Sequence, residues 1–285
     1  MARGMTDHAS RPDQGSPGAL GVPVLPREGG MGPPAPSEGS GPPGPRPIPA
    51  PPPREPAFNL PGVILAFVLV MGAIHFGRSW LSADADVALV LRAAFIPARY
   101  GALDLWPGGY GAGLWTFLTH ALLHGNALHL ATNAIWLAAF GTAVARRFGT
   151  WRFLAFSAAC AIGGALLHLA THWGEWVPMV GASGAISGHM AGAARFAFAQ
   201  GGPLARFGTT SPAAYLRPAE PLGRVLRDGR VVAFLGVWFA INLVFGAGLI
   251  DPGLDEGTSV AWQAHVGGFL AGLLLFPVFD PVRRR

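Results

Sequence analysis

Two side chains in this sequence can perform nucleophilic chemistry and stand where polar groups are costly. Ser183 lies in Gly181-Ala182-Ser183-Gly184, at the head of an apolar run rich in small residues. His265 lies in Ala264-His265-Val266-Gly267-Gly268, inside the last apolar run before the C-terminus. Both runs read as membrane-spanning helices. A polar or ionisable group at that depth faces the bundle interior or a wet cavity and marks a functional site. A serine that meets a histidine is an activated nucleophile, so the pair points to a serine hydrolase working inside a membrane.

The spacing of small residues says how the two could meet. Gly184, Gly188 and Gly192 recur every fourth residue after Ser183, and Ala264, Gly268 and Gly272 do the same around His265. Small residues at this interval let membrane helices approach closely. The alternation of spans makes these two helices parallel, so matched ridges set Ser183 and His265 at similar depth. No Asp or Glu lies inside the second, fourth, fifth or sixth span to complete a triad. The chemistry is therefore expected to run on a dyad, with His265 as general base.

A second constellation is His120, His124, His129 and Asn133. Its spacing argues against a metal site. His120 and His124 share one helical face, as do His129 and Asn133, but the five-residue step between the pairs turns the chain by about 140°. Gly125-Asn126 interrupts it as well, and no acidic ligand is near. No metal and no cofactor are expected. His129 and Asn133 read as donors that could stabilise a developing oxyanion. His120 and His124 read as structural groups that pin the preceding loop by hydrogen bonds. His75, His168, His172 and His189 have no evident partners and read as packing or interfacial residues.

The elements that must position these groups follow from composition. The chain has 285 residues, 51% hydrophobic and only 12% charged, against about 25% charged in soluble domains. All 20 basic residues are arginine. They cluster between apolar runs without interleaved aromatics, which fits membrane topology rather than nucleic-acid binding. The single cysteine, Cys160, excludes an internal disulfide. Residues 1–56 hold more than half of the 27 prolines and little that could form a core. They read as a disordered cytoplasmic tail, with no partner identified for its Pro-rich runs.

Six helical spans are expected within residues 57–285, at about 58–81, 126–145, 151–171, 183–199, 231–250 and 262–279. The fourth is short for a hydrocarbon core of about 30 Å at about 1.5 Å per residue. Its head at Ser183 should thus lie below the surface, under a cavity. Arg146, Arg147, Arg152, Arg206, Arg217, Arg224, Arg227, Arg230 and Arg283 to Arg285 fall on one side, and Asp84, Asp86, Asp104, Glu175, Asp251, Asp255 and Glu256 on the other, where Arg92 and Arg99 dilute the pattern without reversing it. The arginine-rich side is expected to be cytoplasmic, with both termini there, in a bacterial inner membrane. Residues 82–125, with Phe95, Tyr100, Trp106 and Trp115, suit a partly embedded interfacial structure.

Taken together, Gly181-Ala182-Ser183-Gly184, Ala264-His265-Val266-Gly267-Gly268 with Gly272, and the His120/His124/His129/Asn133 series resemble the rhomboid family of intramembrane serine proteases, in order and in span position. The resemblance covers about residues 58–280. It implies an all-α, six-span rhomboid-like bundle with Ser183 as nucleophile and His265 as its base. His129, Asn133 and the Ser183 N–H would form the oxyanion hole. It also implies that the loop before the second span, and the cap over the sixth, govern substrate access. Gly181, Gly184, Gly188, Gly268 and Gly272, with His120 and His124, would support the site. Two positions depart from the family pattern. Thr116 follows Trp115 where many members have arginine, and Ser187 stands where many have an aromatic ring against the histidine.

The expected substrates are single-span or multi-span membrane proteins, met in the lipid bilayer and cleaved in or near a transmembrane segment. Two rival functions predict other sequences. An inactive, client-binding relative should have lost Ser183 or His265, and a solute transporter should carry paired intramembrane charges or a broken-helix repeat.

Overall fold

The computed structural model describes residues 60–205, 211–246 and 260–282. The expected tail, residues 1–56, lies outside the described residues, as do Asp251, Asp255, Glu256 and the terminal arginines. The described residues are helical; their one β-type pairing is an isolated antiparallel bridge between Phe95 and Met179.

We number the principal helices α1 Gly62–Arg78, α2 Ala83–Ala93, α3 Gly109–Thr119, α4 Ala127–Phe148, α5 Thr150–Thr171, α6 Ser183–Ala194, α7 Gly229–Gly246 and α8 Trp262–Phe279. Four of them, α4, α5, α7 and α8, are long and apolar enough to cross a membrane. The apolar α1 has 17 residues and α6 has 12. Thus α6 rises only about 18 Å at about 1.5 Å per residue. It is shorter than the span expected to reach residue 199. The chain leaves the helix at Arg195, whose carbonyl accepts from Glu220 N–H at 2.7 Å and whose Nε donates to the Glu220 carbonyl at 2.9 Å. Gly201, at φ 74°, and Gly202 then turn it away.

Three helices, α5, α6 and α8, pack against one another along glycine. A Cβ on Gly268 would lie 2.6 Å from the Gly184 carbonyl carbon, and one on Gly272 would lie 2.8 Å from that of Gly188. These pairs rise together along both helices, so α6 and α8 run parallel, as the two ridges require. The third helix was not evident from the ridges. A Cβ on Gly164 of α5 would lie 2.7 Å from the Ala264 carbonyl oxygen, and one on Gly163 would lie 3.1 Å from that of Gly267. Cys160 is buried against Gly188. Backbone-to-backbone approach of this kind leaves no room for any side chain at these positions.

At one end of the bundle a buried ion pair closes the structure. Arg147 of α4 and Asp280, just after α8, pair through two hydrogen bonds of 2.8 Å, with side-chain exposures of 0% and 7%. Arg147 also donates to the Tyr215 and Arg217 carbonyls and lies over the Phe196 ring. Each of its three nitrogens thus has a hydrogen-bond partner, as burial of a guanidinium requires. At the other end, α2 and α3 fill the long segment before α4. Tyr110, Leu114 and Leu118 form an exposed apolar stripe along α3, in keeping with the interfacial character expected there.

Candidate active site

Ser183 opens α6. Gly181 precedes it at φ 113°, in the left-handed region that favours glycine. A Cβ there would also lie 2.6 Å from His129 Nε2. Position 181 therefore excludes a side chain twice over, by dihedral and by contact. The turn is held from outside: Gly181 N–H donates to the His120 carbonyl at 2.9 Å, and the Phe95–Met179 bridge ties the same segment to the chain before α3. No side chain caps the N-terminus of α6. Its first N–H groups, which lack intrahelical partners, open towards a cavity of about 430 Å³.

Ser183 Oγ and His265 Nε2 are 2.7 Å apart across that cavity wall. The juxtaposition expected from the two ridges is present. The expectation of an isolated pair is incomplete, because the other ring nitrogen, Nδ1, is hydrogen-bonded to Asn242 Oδ1 of α7. The sequence reasoning missed Asn242 because it sought a carboxylate. The available signal was a lone amide within the apolar run Val237 to Phe245, which the cost of intramembrane polar groups singles out.

His129 and Asn133, one turn apart on α4, also line the cavity. Asn126 caps α4 by accepting from His129 N–H at 2.9 Å. Asn133 Nδ2 donates to the His129 carbonyl at 2.9 Å, which leaves its second N–H available. His120 and His124 are buried. His120 Nδ1 bonds to the Thr116 carbonyl at 2.8 Å, one turn back in its own segment, and it is the His120 backbone carbonyl that reaches across to Gly181 N–H. The His124 carbonyl ties the segment to α1, meeting His75 Nδ1 at 3.3 Å and Arg78 at 3.2 Å. His75 thus has the partner that the sequence did not reveal. Among the described residues, no group of three His, Cys, Asp or Glu is arranged to hold a metal.

A second serine–histidine contact shows what Ser183 is not. Ser157 Oγ lies 2.8 Å from His189 Nε2, but it also lies 2.7 Å from the Phe153 carbonyl. A carbonyl only accepts, so the Ser157 hydroxyl donates to it and accepts from the imidazole N–H. That serine has no base. It is buried beside a separate cavity of about 230 Å³.

Residues 111–280, well over half of the chain, match the family model for the Rhomboid domain. The chain belongs to the rhomboid family. Rhomboid protease GluP of Bacillus subtilis (strain 168) is 42% identical to it over 74 residues, which is 26% of this chain and 14% of that protein. The protein is a membrane protein of this family. In this rhomboid the buried Thr116 hydroxyl, at the first departure, donates to the Ala112 carbonyl at 2.6 Å. The arginine that ties down the loop is Arg99, fully buried, which donates to the Ala112 and Leu91 carbonyls. Burial pulls its guanidinium below its usual pKa. At the edge of α2, hydrogen bonding to Arg78 holds the Asp86 carboxyl below the usual carboxylate range. Ser187, the second departure, turns inward and donates to the Ser183 carbonyl at 2.7 Å. It offers His265 no ring.

Proposed function

We propose that this protein is an intramembrane serine endopeptidase that cleaves transmembrane segments of other membrane proteins. Ser183 Oγ attacks the scissile carbonyl carbon while His265 Nε2 takes its proton. The tetrahedral oxyanion is met by the Ser183 N–H at the positive end of α6, with His129 and Asn133 as side-chain donors. On collapse, the C–N bond breaks and His265 returns the proton to the leaving amine. Water, deprotonated by the same imidazole, then hydrolyses the acyl-enzyme and frees Ser183. No cofactor enters the scheme.

The observation that carries this reading is the 2.7 Å contact between Ser183 Oγ and His265 Nε2 at the wall of a cavity. An intact transmembrane helix hides its carbonyls in hydrogen bonds, so the substrate must unwind locally, which favours segments with glycine or other weak helix formers. We assign the six apolar helices as spans and the arginine-rich connections to the cytoplasm, on the distribution of arginine against acidic residues, and take a bacterial inner membrane as the host. The test is cleavage of a panel of tagged membrane proteins by the purified protein in lipid. Wild type should cut members with weakly helical spans, and Ser183→Ala and His265→Ala should cut none while inserting and melting normally. Substantial cleavage by Ser183→Ala would overturn the proposal.

A further inference from the structure

Asn242 lies on α7, one turn after Trp238, and both are buried in a helix with few buried positions. Trp238 stacks on Phe269 of α8 with ring centroids 5.4 Å apart, and Asn242 meets His265 one turn away on the same two helices. The two contacts are in antiparallel register, 238 against 269 and 242 against 265. The aromatic stack therefore sets the position at which the amide meets the imidazole.

The polarity of that meeting is determined by a backbone carbonyl. Asn242 Nδ2 donates to the Trp238 carbonyl at 2.8 Å. That oxygen can only accept, so it holds the amide with its N–H₂ end towards α7 and its Oδ1 towards His265. Oδ1 also can only accept, and so the proton of the neutral ring must sit on Nδ1. Nε2 is then left with its lone pair facing Ser183 Oγ. The direction runs unbroken from Trp238 through Asn242 and His265 to the serine. Among the described residues no aromatic ring stacks on His265, and Ser187 supplies none, so this amide is what orients the imidazole.

We propose that Asn242 is a positioning residue that fixes the tautomer and orientation of His265. The inference rests on the reading of His265 as the base for Ser183. Without Asn242 the ring can turn or carry its proton on Nε2, where it cannot accept from the serine. The loss should appear in kcat and leave KM unchanged, because Asn242 acts on the ring rather than on the substrate.

The test compares Asn242→Leu and Asn242→Asp in the full-length protein in lipid. General-base catalysis contributes about 10²–10⁴-fold, and Asn242→Leu should lose about 10²-fold in kcat at unchanged KM. Asn242→Asp, which keeps an acceptor for Nδ1–H but loses the donor to the Trp238 carbonyl, should retain more activity than Asn242→Leu. A second readout is independent of activity: ¹⁵N chemical shifts of His265, assigned by its substitution, in Ser183→Ala protein. Nδ1 should carry the proton there, and adding Asn242→Leu should shift the ring towards a mixture of tautomers. An unchanged kcat in folded Asn242→Leu, or unchanged His265 shifts on removing Asn242, would overturn the inference. If Asn242→Leu does not fold, Asn242→Asp decides by the same shifts: a proton fixed on Nδ1 supports the inference and a mixture contradicts it. Full cleavage by Ser183→Ala would sink the dyad reading instead, and the ¹⁵N shifts would still judge Asn242.

Discussion

The cavity has two unlike walls. One is lined by α6 and α8, which behind it meet each other and α5 backbone to backbone, with Gly164, Gly184, Gly188, Gly268 and Gly272 at the contacts. On the other, α7 touches its neighbours through large side chains, and only Val231, Trp238 and Asn242 are buried along its 18 residues. Val237 and Leu243 of α7 are 61% and 60% exposed. Ser183 and His265 both stand on the first wall. The groups that must keep their separation are thus carried by helices whose spacing is set by backbone atoms, which cannot change rotamer. The amide that orients the histidine comes from the second wall, where side chains leave room for movement.

The largest effect short of the reacting pair is expected opposite both walls, on α4. If the second N–H of Asn133 meets the oxyanion, Asn133→Ala should lower kcat by about 10²–10³-fold with little change in KM. A change confined to KM, measured on a cleaved membrane substrate, would move Asn133 from catalysis to docking.

The tight wall should be intolerant of a methyl group where its helices are closest, at Gly268, and the loose wall indifferent to one. At Gly268 the new Cβ would overlap the Gly184 carbonyl, so even Gly268→Ala must part the helices, and a misplacement of about 1 Å can cost about 10²-fold in rate. A Cβ on Gly184 would lie 3.4 Å from the nearest atom, and one on Gly236 of α7 has nothing within 4 Å. Gly184→Ala should therefore be mild and Gly236→Ala neutral. Turnover of the three variants is the measurement; equal activity across them would remove the distinction between the walls.

The ridge on α6 and its partner on α8 were legible because glycine at every fourth residue in an apolar run has few other uses. The share of α5 was not, since Gly163-Gly164 are adjacent and Cys160 contributes without being glycine. Ser183, His265, His129 and Asn133 could be picked out because each is a polar group at a costly depth. Asn242 obeyed the same rule, but a carboxylate was sought on that helix, and only the register of α7 on α8 reveals its target. The anchoring arginine was sought next to Trp115, whereas Arg99 reaches the same loop from a preceding turn, a contact no local pattern encodes. The four-residue interval identified α6 as a helix, while its early end lies where Arg195 bonds to the backbone of Glu220, which is remote in sequence.

A smaller effect on rate, and a larger one on stability, is expected far from the cavity. Arg147→Met leaves Asp280 buried without its partner, and breaking such a pair costs about 3–5 kcal/mol. Thermal unfolding in detergent should shift down markedly, while protein that remains folded keeps its serine reactivity. A variant as stable as wild type would mean that the pair does not close that end of the bundle. The smallest effect is expected from removing residues 1–55, which contain none of the site residues; cleavage by the shortened protein should be unchanged.

The most direct measurement is covalent labelling with a fluorophosphonate probe, followed by mass spectrometry of the modified peptide. The probe reacts only with a serine whose proton is being taken. It should attach to Ser183 alone in wild type, and labelling should vanish in Ser183→Ala and fall to background in His265→Ala. Labelling at Ser157 or Ser187, or at Ser183 with undiminished rate in His265→Ala, would contradict the assignment of Ser183 as a nucleophile activated by His265.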